Sequence, residues 1–158
     1  MMDDRILIIS DDSETLSNVT SIIKTVRPEN GIKVVRSGEE AVFAMDEIHS
    51  FINQIIFDCS VKDRMIFLKD FYKKYAELDI PFIFICNKCF EFDISKSEKY
   101  LCTKLDLNII DIVQKPIDKF VFFKVYKEAS KAKHAFQHLR VLKKQLNVAI
   151  SRATSLIG

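Results

Sequence analysis

Four short apolar runs in this chain each stop abruptly on polar, chemistry-bearing residues, and that recurrence constrains the fold most. Ile6-Leu7-Ile8-Ile9 ends at Ser10-Asp11-Asp12, and Gln54-Ile55-Ile56-Phe57 ends at Asp58. Pro81-Phe82-Ile83-Phe84-Ile85 runs into Cys86-Asn87, and Ile109 to Val113 into Gln114-Lys115-Pro116. Unbroken runs of this length and composition read as strands buried on both faces. A fifth run, Ile32 to Val35, follows the helix breaker Pro28-Glu29-Asn30-Gly31.

Segments of helical period lie between these runs. Leu16, Val19, Ile22, Ile23 and Val26 follow Asp12 or Ser13 as cap; Ala41, Val42, Met45 and Ile48 follow Ser37-Gly38-Glu39-Glu40. Phe67, Leu68, Phe71 and Tyr75 form the packing side of a helix over roughly Met65 to Ala76. Residues 90–106 are less periodic and are read as a further helix. The alternation predicts an α/β fold, a doubly wound five-stranded parallel sheet with helices on both faces. The functional crevice of such sheets lies at the carboxyl ends of the strands, where Asp11, Asp12, Asp58, Cys86, Asn87 and Lys115 fall.

From Asp118 the chain reads as nearly continuous helix, with no Pro and no Gly before residue 158. Ala135, Leu139, Leu142, Leu146, Ala149, Ala153 and Leu156 alternate spacings of four and three, a heptad pattern over three repeats. This divides the chain into a domain over residues 1–130 and a helical extension over 131–158, a dimerisation or linker helix. Charge is also unevenly divided, with the change at the start of the long helix. Residues 1–118 carry 15 Lys and Arg against 21 Asp and Glu, whereas 119–158 carry nine Lys and Arg against Glu128 alone. A basic tail favours an acidic partner. With Phe136 the one aromatic beyond residue 130 and no DNA-reading motif, nucleic-acid binding is disfavoured.

No apolar run reaches the roughly 20 residues a membrane helix needs, and the acidic start does not read as a signal peptide. Cysteines 59, 86, 89 and 102 are expected to be reduced thiols of a cytoplasmic protein. Cys86-Asn87-Lys88-Cys89 spells a CxxC, but no second ligand pair follows at zinc spacing. His134 and His138, one helical turn apart, are expected to be solvated helix residues.

Carboxylates converging at strand ends repel one another unless a cation sits among them, and Mg²⁺ suits such oxygen donors. Lys115 is positioned as a mobile point charge to pair with Asp58 or a phosphoryl oxygen. A carboxylate nucleophile would give an aspartyl-phosphate.

Five segments together resemble the receiver domain of two-component response regulators, over about residues 5–130. Leu7-Ile8-Ile9-Ser10-Asp11-Asp12 resembles the first strand with its acidic pair, and Ser37-Gly38-Glu39-Glu40-Ala41 the opening of the second helix. Ile55-Ile56-Phe57-Asp58 resembles the strand presenting the phosphoacceptor, and Pro81 to Asn87 the fourth strand with its switch position. Gln114-Lys115-Pro116-Ile117-Asp118 resembles the Lys-Pro-Phe-Asp signature, whose lysine joins the site through an often cis bond. The resemblance implies the flavodoxin-like receiver fold, here with an extended C-terminal helix. It implies Asp58 as phosphoacceptor, Asp12, Asp58 and the Ser60 carbonyl as direct Mg²⁺ ligands, and Asp11 acting through a water. It implies Lys115 as the cationic partner, Cys86 and Asn87 near the phosphoryl group, and Ile112 at the aromatic switch position. The implied partner is a sensor histidine kinase or phosphotransfer protein, with small phosphodonors as substitutes.

The chain departs from that pattern after the acceptor, where Cys59-Ser60-Val61-Lys62-Asp63-Arg64-Met65 lacks the proline and turn glycine. Cys86 replaces a Thr or Ser, and its thiol is a weak donor. Ile112 replaces an aromatic. Phe120, Phe122 and Phe123, where exposed, would mark a partner face. The leading expectation is a non-enzymatic, phosphorylation-controlled receiver. It would relay its signal through the final helix to a partner, a second copy or a downstream output domain, with Leu139, Leu142, Leu146, Ala149 and Ala153 as the pairing stripe. The alternative is a degenerate receiver acting as an interaction module without phosphorylation. A phosphatase using Asp58 covalently lacks an acid/base partner in the sequence.

Overall fold

A computed structural model describes residues 5–27, 31–87 and 107–157. The expected helix over residues 90–106, Pro28 to Asn30, Cys89 and Cys102 lie outside the described residues. Five parallel strands form one sheet: β1 (Arg5–Ile9), β2 (Gly31–Val35), β3 (Ile52–Asp58), β4 (Phe82–Cys86) and β5 (Ile109–Gln114). Their order is β2-β1-β3-β4-β5, so the chain reverses direction across the sheet between β1 and β3. Such a switch point opens a crevice beyond the strand ends.

The apolar runs are continuous because both faces of the central strands are covered. Leu7, Ile9, Ile55, Phe57, Phe82 and Phe84 face one helical layer; Ile6, Ile8, Ile56, Ile83 and Ile85 face the other. The first layer is α2 (Gly38–Ile48) and α3 (Arg64–Tyr75), which contribute Ala41, Ala44, Met45, Phe67, Leu68 and Phe71. Neighbouring rings of Phe57, Phe67, Phe71, Phe82 and Phe84 sit 4.9 to 6.4 Å apart between centroids, so these five phenylalanines form one aromatic cluster in the core. The second layer is α1 (Ser13–Val26) and α4 (Lys119–Ile157), which contribute Leu16, Val19, Ile23, Phe122, Val125 and Tyr126.

The helix starts follow the sequence signals. Asp12 caps α1 through the Glu14 N–H, and Ser37 caps α2 through the Glu40 N–H while Glu40 accepts from the Arg36 N–H. Asp118 caps α4 by accepting from the N–H groups of Phe120 and Val121.

Helix α4 has 39 residues, about 58 Å at the usual rise per residue. Its buried residues are Phe122, Val125, Tyr126 and Ala129. It then stays attached by polar side chains. Lys133 donates to the Ile52 carbonyl, and Arg140 forms an ion pair with the buried, left-handed Asp79 (φ 55°). Every residue from Val141 to Ile157 is exposed. Leu139, Leu142, Leu146, Ala149 and Ala153 therefore stand free on the helix surface. Of the three phenylalanines expected to mark a partner face, Phe120 alone is prominent, at 83% exposure; Phe122 is fully buried. Among the described residues no helix is long and apolar enough to cross a membrane.

Candidate phosphoacceptor site

The sheet register assembles the site. Ile9 pairs with Phe57, so the next residues on the two strands, Ser10 and Asp58, stand side by side at the head of the sheet. Cys86 pairs with Gln114, which places Lys115 just past the end of β5, two strands from Asp58. The Lys115 N–H donates to the Cys86 carbonyl at 2.7 Å, and the Lys115–Pro116 peptide bond is cis.

Asp58 is fully buried and has donors on both oxygens. Its Oδ1 accepts from the Ser60 N–H at 3.0 Å and the Ser60 hydroxyl at 2.7 Å. Its Oδ2 accepts from the Ser10 hydroxyl at 2.7 Å and the Lys115 ammonium at 2.8 Å. The same ammonium lies 3.2 Å from Asp12 Oδ2 and 3.4 Å from Ser60 Oγ. A buried carboxylate without such donors would cost several kcal/mol; here four donors and one full positive charge compensate it.

The electrostatics follow the geometry. The Thr15 hydroxyl, 2.6 Å from Asp12 Oδ2, is the main influence holding the Asp12 carboxyl below its ordinary range, with Lys115 and the Glu14 N–H adding to it. Burial alone would pull the Lys115 ammonium down, but its contacts with Asp58 and then Asp12 outweigh that and leave it above its ordinary value. Lys115 is therefore charged throughout the physiological range.

The remaining expected residues divide. Asp12, Asp58, Ser60 and Lys115 come together. Asp11 stands exposed on the loop, and among the described residues no group of three or more His, Cys, Asp or Glu is placed to hold a metal. The expected acidic trio is thus a pair. The donor chemistry of that pair still fits a hard cation: two carboxylates face one position that already holds a positive charge, and Mg²⁺ commonly takes one or two carboxylates and completes its shell with water. Cys86 is buried in the apolar layer with Phe82, Phe84 and Cys59, whereas Asn87 is exposed at the rim. Asn87 lines a cavity of about 290 Å³ with Asp12, Thr15, Lys115 and Pro116, beside the carboxylate pair. Ile112 is 38% exposed on β5.

Two participants were not assigned from the sequence. Ser10 appeared there only as the end of a strand; the signal for its role is its register beside Asp58. Asp63, in the rewritten loop, accepts from the Gly38 N–H at 2.6 Å and the Glu39 N–H at 3.0 Å, which ties the loop to the start of α2.

No family model matches the chain, and no curated protein matches its sequence. Its fold is widely represented, with 232 solved chains matching it. It is similar to a signal receiver domain of an HD domain-containing protein from Pseudomonas fluorescens Pf-5, at 12% identity and TM-score 0.66, over 87% of this chain and 94% of that one. It is similar to a response regulator receiver domain protein from Clostridium thermocellum, at 16% identity and TM-score 0.63, over 84% and 98%. NtrX from Brucella abortus matches at 14% identity and TM-score 0.67, over 89% of this chain but 30% of that longer one. Identities this low establish the fold: the chain has the receiver fold of response regulators.

Proposed function

We propose that this protein is a phosphoacceptor receiver module that takes a phosphoryl group on Asp58 and relays its state through α4. The observation that carries the reading is the pairing of a fully buried Asp58 with Lys115 and Asp12 at the switch in strand order. An Asp at a strand end is ordinarily a solvated loop residue. This one is enclosed, and its charge is held by a lysine from two strands away.

The donor would be a phosphohistidine on a sensor kinase or phosphotransfer protein. One Asp58 oxygen attacks phosphorus; the new O–P bond forms as the P–N bond breaks, and its electron pair returns to the imidazole. Lys115 is free to move its charge from the carboxylate to a phosphoryl oxygen, and Ser60 and Asn87 stand at the rim to contact the incoming group. Asp12, Asp58 and the Ser60 carbonyl would hold Mg²⁺, with Asp11 reaching it through water. When bound, the ion neutralises oxygen charge and orients the phosphoryl group. Lys115, which contacts both carboxylates, already offsets part of their charge.

From Leu139 onward, α4 offers its exposed stripe of Leu139, Leu142, Leu146, Ala149 and Ala153 to a partner, a second copy or a following module. The module signals and does not turn over a substrate. A second reading, an interaction module that works unphosphorylated, is favoured by one observation: each Asp58 oxygen already accepts two hydrogen bonds. One experiment separates the two. Incubation with Mg²⁺ and a small phosphodonor, or with beryllofluoride, should give a mass gain or saturable binding that Asp58→Asn abolishes. A folded protein that shows neither overturns the phosphoacceptor reading.

A further inference from the structure

We infer that Ser10 sets the lifetime of the aspartyl-phosphate, acting as a positioning residue that favours its hydrolysis. The inference rests on Asp58 being the phosphoacceptor and deepens that reading.

Ser10 is 1% exposed, and its hydroxyl has two defined partners. It donates to Asp58 Oδ2 at 2.7 Å and accepts from the Asp12 N–H at 3.2 Å. The N–H occupies the oxygen and turns the proton toward Asp58. The hydroxyl is therefore a committed donor to the carboxylate, held by the backbone of the acidic loop.

The strength of that donation depends on the state of Asp58. As a carboxylate, Asp58 carries a full negative charge shared over both oxygens, and a hydrogen bond to it is charge-assisted. Once one oxygen is esterified to phosphorus, the other becomes the carbonyl oxygen of an acyl phosphate and accepts a neutral bond roughly half as strong. Lys115 and the Ser60 hydroxyl can follow the charge onto the phosphoryl oxygens. Ser10 cannot, because it is buried beside the carboxylate and its hydroxyl is held there by the Asp12 N–H. Its preference is thus for the product of hydrolysis.

In that step a water oxygen forms a new bond to phosphorus. The bond from phosphorus to the Asp58 oxygen breaks with its electron pair, which regenerates the carboxylate, and both protons of the water leave with inorganic phosphate. Negative charge grows on the Asp58 carboxylate as the bond breaks. The Ser10 hydroxyl strengthens along that coordinate, lowers the barrier to hydrolysis and shifts the equilibrium away from the phosphorylated form.

The test is the decay of phosphorylated protein in Mg²⁺ after removal of the phosphodonor. Ser10→Ala and Ser10→Cys should lengthen the half-life by about threefold to tenfold, since one loses the donor and the other offers a weak one. Ser10→Thr, which keeps the hydroxyl, should stay within about twofold of wild type on the same argument. Cys preserves the volume of the site, so it carries the test if Ala disturbs folding. Damage to the site would shorten the lifetime or shift its Mg²⁺ dependence; lengthening at unchanged Mg²⁺ dependence is what a structural role would not produce. If wild type is phosphorylated and neither Ala nor Cys lengthens the half-life, the role of Ser10 is wrong and the phosphoacceptor reading stands. If wild type takes no phosphoryl group, that reading falls and the role of Ser10 with it.

Discussion

Lys115 reaches Asp58 across an intervening strand: the lysine follows the end of β5, the carboxylate ends β3, and Nζ still closes to 2.8 Å of Oδ2. A pair that joins two non-adjacent strands couples the head of the sheet, and removing one member leaves the other uncompensated. Lys115→Met should destabilise the fold by about 1–3 kcal/mol, because a fully buried carboxylate loses its charged donor. Asp58→Asn relieves that charge, so the double variant should be more stable than the sum of the singles implies. Urea denaturation of the four proteins measures the coupling, and additive changes would show that the pair carries no energy.

Asp63 holds the rewritten loop against α2 by accepting from two N–H groups at its start, which would otherwise lack intrahelical partners. Asp63→Ala should cost about 1–2 kcal/mol, the range for losing a helix N-terminal acceptor. Gly38→Ala should cost a similar amount for a different reason, since a Cβ there would meet the Asp63 backbone carbonyl at 2.3 Å. The Asp63 carboxyl lies below its ordinary range: burial opposes this, but the donors from Gly38 and Glu39 prevail. A lowered folded-state pKa gives stability that is present above the unfolded value of about 4 and lost as pH falls through the folded value. Asp63→Ala should therefore narrow its gap to wild type in acid. A gap that is constant from pH 7 to pH 3 would refute the carboxylate's role.

The strands, their parallel order and the first three helices were legible because buried parallel strands leave unbroken apolar runs, and capped helices leave a period and a cap. The pairing of Asp12, Asp58 and Lys115 was legible because each follows an apolar run, and strand ends collect at one crevice. What was not legible depends on register and rotamer. Ser10 became a hydrogen-bond partner of Asp58 only through the Ile9–Phe57 pairing, and Asp11 is exposed although it adjoins Asp12. Phe120 and Phe122 differ by two positions on a helix, yet one is exposed and the other is core, as the helical period requires once the packed face is known. Gln54 opens the third buried run, as its place in the strand requires, but the sequence does not reveal that its side-chain amide has no hydrogen-bond partner among the described residues.

Tyr75 donates to Asp46, and burial first, then that carboxylate, push its hydroxyl up to about 12. A raised pKa in the folded state means that the unfolded chain releases the proton first. The contribution of Tyr75 is intact below pH of about 10 and lost as pH rises toward 12. Tyr75→Phe should therefore be less stable than wild type at neutral pH and lose less between pH of about 10 and 12. Parallel alkaline denaturation curves for the two proteins would exclude the contribution.

Arg140 grips Asp79 at the opposite end of the sheet from Asp58, with Nε 2.6 Å from Oδ2. The grip fixes where α4 leaves the domain, because no buried apolar residue holds the helix beyond Ala129. Asp79 sits at φ 55°, a region that costs an L-residue about 1–2 kcal/mol and glycine almost nothing. Asp79→Ala and Asp79→Gly both remove the ion pair, but Ala keeps the backbone cost and Gly relieves it. Ala should therefore be the less stable by about 1 kcal/mol. Arg140→Ala should raise amide exchange from about residue 133 onward while the sheet stays protected, since the anchored segment alone loses its contact. If exchange rises equally in β1 and β3, the contact supports the whole domain; if it rises nowhere, the helix direction is set by Lys133 and the buried turn before it.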